Sequence, residues 1–128
     1  MDKKTILKAF NNHFLEFGND LMNIFPNDYD LKTTYTFLEG LKKINPKKII
    51  EIWKTWILKH YKREIDEGDY KFFENKDYGY DIGQGSNSKL LVSVNNFKHK
   101  CSQLNKKNKE KSMKYVQNLS KLCEIYYN

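Results

Sequence analysis

The chain has 128 residues, 39% of them hydrophobic and 30% charged, with a formal net charge of +7. That length suits one domain able to bury about two-thirds of its unfolded surface, and 15% aromatics with only two Pro and six Gly exclude a disordered chain. No apolar run approaches the ~18 residues of a membrane span, and the opening Met-Asp-Lys-Lys-Thr leads into a periodic pattern, so neither a spanning helix nor a signal peptide is expected.

The first helix is predicted over 3–25. Its stripe of Ile6, Phe10, Phe14, Phe17, Leu21 and Ile24 advances in steps of three and four, widened by Leu7, Met22 and Phe25, and Pro26 ends it. A second helix over Asp30–Ile44 places Leu31, Tyr35, Leu38 and Leu41 on one face, with Asp28 or Asp30 as its cap. Asn45-Pro46 reads as an N-cap followed by a proline at the first helical position. It opens a third helix carrying Ile49, Ile50, Trp53, Trp56, Ile57, Tyr61 and Ile65 up to Gly68.

Residues 69–75 read as a short helical turn whose two Phe plug the core. Residues 76–88 contain three Gly and no period, and are predicted to be a loop. The fifth helix spans about 88–104 with Leu90, Leu91, Val94, Phe97, Cys101 and Leu104 in register. The sixth spans 109–127 with Met113, Val116, Leu119, Leu122, Cys123 and Tyr126, leaving Asn105–Asn108 as the bend. No strand pattern or internal repeat is present. The expected fold is all-α, an irregular bundle of five to six helices in a single domain over 1–128.

Charge is unevenly placed. Residues 1–88 hold 14 Lys/Arg against 14 Asp/Glu, whereas residues 89–128 hold nine Lys against Glu110 and Glu124, so the whole excess lies in a basic helical hairpin. The 22 Lys against one Arg (Arg63), 14 Asn and one Ala (Ala9) follow A/T-rich codons, but genome-wide drift does not predict that asymmetry. Cys101 and Cys123, folded back about the bend, would miss each other by roughly 15 Å. They are expected to be two buried thiols in a reducing compartment.

Catalytic and metal patterns fail on specific positions. Gly79-Tyr-Asp-Ile-Gly83-Gln-Gly85 lacks the Gly-Lys-Ser/Thr of a phosphate loop. Asp28, Asp30 and Glu39 match a calcium-loop template, but Lys32 and Thr33 occupy the places of a ligand and the obligatory Gly. His13, Glu16 and Asp20 share a helix as His-x-x-Glu, the reverse of the di-iron order, and His13 reads instead as a partly buried, hydrogen-bonded side chain. Trp53, Trp56 and Tyr61 have the spacing of a stacking platform, but alongside Ile49, Ile57 and Ile65 at helical spacing they read as core. No metal, no cofactor and no enzymatic activity are expected.

Lys98, Lys100, Lys106, Lys107, Lys109, Lys111 and Lys114 cluster around the bend, offset only by Glu110. Five of them on phosphates would give a log–log salt slope of about −4.5. Lysine suits phosphate but reads guanine poorly beside the bidentate fork of arginine, so binding of nucleic acid would be largely sequence-independent. Lys106-Lys107-Asn108-Lys109 also fits a short nuclear-import pattern. An acidic protein surface is the alternative partner; the segment lacks the aromatic apolar face of a membrane helix.

Phe10-Asn-Asn-His-Phe-Leu-Glu-Phe, Ile24-Phe-Pro, Asn45-Pro-Lys-Lys-Ile-Ile-Glu-Ile-Trp, Ile65-Asp-Glu-Gly-Asp-Tyr-Lys-Phe-Phe and the run from Asn108 to Leu122 resemble small uncharacterised proteins of nucleocytoplasmic large DNA viruses of protists. The resemblance covers about 10–78 and 106–122 and contains no catalytic motif. It implies a viral factory, a virion, the host cytoplasm or the host nucleus as the setting. The expected function is non-specific nucleic-acid binding through the basic hairpin. The alternative is a virion or assembly protein working by protein–protein contact as a homo-oligomer, using the aromatic helix 45–67, whose apolar residues nearly encircle it.

Overall fold

A computed structural model describes residues 2–74 and 86–128. The first helix, α1 (Lys3–Ile24), starts where the Asp2 carboxylate accepts a 2.7 Å hydrogen bond from the Thr5 amide. Its predicted stripe is buried from Ile6 to Leu21, while Ile24 is left partly exposed at the helix end. Helix α2 (Tyr29–Ile44) is capped by Asp28, which accepts from the Leu31 amide at 2.9 Å, and it buries Leu31 and Leu38.

The third predicted helix begins later than expected and is not uniform. Asn45 does not cap it: the helix starts at Lys48 with no side-chain cap, and Asn45 instead closes the last turn of α2, its N–H bonding to the Leu41 carbonyl at 2.7 Å. Helix α3 (Lys48–Ile52) follows a turn at Pro46, whose carbonyl accepts 2.8 Å from the buried Asn11 amide. The rod then widens into a π-helical segment, Trp53–Leu58, and continues as α4 (Lys59–Glu67), kinked at Tyr61 (φ −129°, ψ 15°). Gly68 ends it as predicted, in the left-handed region (φ 68°), where a side chain is strained. Helix α5 (Lys71–Glu74) inserts Phe72 and Phe73 into the core.

Helix α6 (Ser86–Ser102) starts two residues before its predicted position; the remainder of the predicted 76–88 loop lies outside the described residues. Helix α7 (Lys106–Tyr126) starts three residues early. The Asn105 side chain accepts from the Asn108 amide at 2.9 Å, so the expected bend is already helix. No strand occurs among the described residues, and the all-α irregular bundle stands.

One core serves every helix. Phe14 stacks on Phe97 with centroids 5.8 Å apart, and Phe10 and Phe14 both meet Trp53 edge-on at 6.0 and 6.1 Å. Helices α1 and α7 make the most extensive packing pair. They run antiparallel, since the Lys3 ammonium lies over the Tyr126 ring while Asp20 pairs with Lys111. The end of α1 therefore meets the start of α7.

Candidate nucleic-acid interface

The seven predicted lysines do not form one patch. Lys98 is buried, 6% exposed, with its Nζ 3.8 Å from the centroid of the Tyr61 ring and 4.6 Å from that of Phe72. It stands four residues after Val94 on the flank of the apolar stripe of α6, and the two rings draw its ammonium inward. It is corrected from a phosphate contact to a core residue. Lys100 pairs with the Asp28 carboxylate and lies 5.1 Å from the Phe25 ring centroid, so it is engaged within the fold as well. The Lys100 hydrogen bond is the main cause holding the Asp28 carboxyl below the ordinary range, aided by the Leu31 amide.

The other five lie on the first three turns of α7. Lys106, Lys107, Lys111 and Lys114 are exposed and Lys109 is half-buried. Lys107, Lys111 and Lys114 recur at steps of four and three, and Lys121, seven further on, continues the same face. That face opposes the buried side made by Ser112, Met113, Tyr115, Val116, Leu119 and Ser120. Lys107 to Lys121 gives a row about 21 Å long at ~1.5 Å per residue. Lys121 went unrecognised because it is far in sequence from the bend, although its helical spacing carried the signal. Among the described residues only Lys111 of this row has an acidic partner, Asp20 at 3.5 Å.

The start of α7 is electrostatically costly. Its first turn carries no acidic side chain, and Lys106, Lys107 and Lys109 stand at the positive pole of the helix dipole. Each cation so placed opposes a term of about 0.3–1 kcal/mol.

Beneath this row lies a polar cluster. The Tyr115 hydroxyl donates to Asp20 Oδ2 at 2.5 Å and approaches Glu16 Oε1 at 3.3 Å. Burial first, then these two carboxylates, push the phenol well above its ordinary value. His13 packs on the Tyr115 ring with centroids 4.8 Å apart. Its Nδ1 is 3.9 Å from Glu16, too long for a hydrogen bond, and its buried Nε2 has no hydrogen-bond partner among the described residues. The hydrogen-bonded histidine expected here is instead held by ring contact. Among the described residues no group of three or more His, Cys, Asp or Glu is placed to hold a metal. Beside the cluster, between the end of α1 and the start of α7, opens a pocket of about 210 Å³ that includes Asp20, Asn108, Lys111 and Tyr115 in its walls.

No family model, no curated protein and no solved structure matches the chain. The lysine row is defined by its own geometry alone.

The other predicted features settle within the fold. Both cysteines are buried and free. Cys123 Sγ donates to the Ile50 carbonyl at 3.7 Å, and burial pushes both thiols up to about 12. Ile49, Ile50, Ile52, Trp53, Ile57 and Ile65, the apolar girdle that suggested an assembly surface, are buried in the chain's own core; Trp56 is half-buried and stacks on His60. Among the described residues no helix is long and apolar enough to cross a membrane.

Proposed function

We propose that the protein binds nucleic acid without regard to sequence, laying the outer face of α7 along the phosphate backbone through Lys107, Lys111, Lys114 and Lys121. Lys106 and Lys109 add contacts at the helix start. The observation that carries this reading is a row of exposed cations along the outer face of α7, with Lys106, Lys107 and Lys109 at its head standing where the helix dipole opposes them. A phosphate seated there turns that unfavourable placement into two attractions, to the lysines and to the helix pole. Lysine ammoniums, as compact point charges, suit phosphate oxygens and carry little base information. The setting proposed is the one implied by the string resemblance, where viral nucleic acid is replicated, packaged or delivered.

The four lysines of the row on duplex DNA contribute a log–log salt slope of about −3.6, which contacts from Lys106 and Lys109 steepen to about −5.4. The test is fluorescence anisotropy against labelled duplex at a series of salt concentrations. Replacing Lys107, Lys114 and Lys121 with Gln should flatten the slope by about 2.7 while circular dichroism keeps its helical signal. Replacing Lys32, Lys43 and Lys59, which are exposed elsewhere, removes the same charge and should change it little. Equal loss from both triples, or no binding at low salt, would overturn the reading.

A further inference from the structure

Asp20 and Lys111 present a carboxylate and an ammonium 3.5 Å apart on the wall of the 210 Å³ pocket. Phe17 and Leu21, both buried, give it apolar lining, and Asn23 and Asn108 add two amides. The volume is below the roughly 300–1,000 Å³ of pockets for drug-sized ligands, which leaves room for one ring system. The Asp20 side chain is 30% exposed, and both of its fold contacts, from the Tyr115 hydroxyl and from Lys111, fall on Oδ2. Oδ1 receives no hydrogen bond from a described residue. The tyrosine thus fixes the carboxylate through one lone pair of Oδ2 and, once Lys111 turns to a ligand, leaves Oδ1 and the second lone pair of Oδ2 able to accept.

The ligand must offer an acceptor for Lys111 beside donors for Asp20. Among the standard bases, guanine has that edge: O6 is an acceptor, and N1–H and the N2 amine are two adjacent donors that a carboxylate takes together. Lys111 also belongs to the phosphate row, so a strand tracking α7 passes the pocket mouth. Bases in a duplex have this edge occupied by pairing, whereas an unpaired base can be turned into a pocket and read on it.

We infer that the pocket between α1 and α7 takes a single unpaired guanine, its O6 facing the Lys111 ammonium and its N1–H and N2 amine facing the Asp20 carboxylate. This rests on the nucleic-acid reading and adds to it one base preference and a preference for single strands.

Short thymidine strands carrying guanine, hypoxanthine or an abasic site at regular positions separate the contributions, because hypoxanthine is guanine without the N2 amine. The unaltered protein should bind the guanine strand about fivefold or more tightly than the hypoxanthine strand, and the abasic strand least. Asp20→Asn, which supplies one acceptor oxygen instead of two, should erase that order while keeping the salt slope. Asp20 also anchors Tyr115, so the strand series on the unaltered protein decides by itself. Equal affinity for all three strands with the salt slope intact would overturn the pocket and leave the phosphate row standing. Free guanosine monophosphate is the other source of the same edge. If it binds in an Asp20-dependent manner while no strand binds, the pocket stands and the nucleic-acid reading falls.

Discussion

The indole Nε1 of Trp53 donates a buried 3.1 Å hydrogen bond to the Ser120 hydroxyl, tying the π-helical segment to α7 across 67 residues of sequence. Replacing Ser120 with Ala keeps the packing volume nearly unchanged but leaves a buried N–H without its acceptor, at a cost of about 1–3 kcal/mol. Urea denaturation followed by tryptophan fluorescence should show the midpoint fall at constant slope. An unchanged midpoint would mean that the indole finds another acceptor.

Two glycines on neighbouring helices should respond oppositely to the same substitution. A Cβ on Gly18 would lie 2.9 Å from the rings of both Phe97 and Tyr35, so Gly18→Ala overpacks the contact among α1, α2 and α6 and should destabilise by about 1–3 kcal/mol. A Cβ on Gly40 meets nothing within 4 Å. Gly40→Ala should therefore gain the helical preference of Ala, about 0.8–1 kcal/mol. Thermal melts of the two variants against the parent check both signs.

The Asp28–Lys100 pair gives stability a defined dependence on acid. Pairing and the cap lower the Asp28 carboxyl below its unfolded value of 3.8. The stabilisation is therefore present above that value and is lost as pH falls through the folded one. Asp28→Asn preserves a capping side chain and removes only the charge. The variant should be less stable than the parent at neutral pH, and the gap should close below pH 3.8. A gap that is constant with pH would assign the effect to the cap alone.

Cys101 and Cys123, both pushed up to about 12 by burial, should be silent to Ellman's reagent near neutral pH in the folded protein. Both should react at once in denaturant. Fast labelling of either thiol in the native state would reveal an opening of the helices around it.

Much of this architecture is legible in the residues. The three- and four-residue steps from Ile6 to Leu21, the pair Phe72–Phe73 and the stop at Gly68 each specify their place by local chemistry. What escaped is set by which neighbour or distant partner claims a group. Asn45 has every local mark of an N-cap, yet the helix before it claims its N–H. Lys98 reads as a solvated cation until Tyr61 and Phe72, from two other segments, close over it. The widening at Trp53–Leu58 leaves no trace in the apolar spacing, because its half-buried members Trp56 and Leu58 are as apolar as its buried Trp53 and Ile57. At the candidate site the lysines of α7 were visible, whereas Asp20 and Tyr115 are brought together only by the antiparallel packing of α1 on α7.

That packing also bears on how the protein is made. Helix α1 leaves the ribosome about a hundred residues before the helix that covers it most. Tyr115, the ring stacked on Phe17, arrives only with that late helix. Contacts so far apart in sequence slow folding, and at translation speeds of about 5–20 residues per second the aromatic stripe of α1 waits several seconds for its cover. A chaperone that shields apolar nascent segments would find its binding site there, and stalled or prematurely terminated chains would be directed to aggregation or degradation rather than to a partial fold.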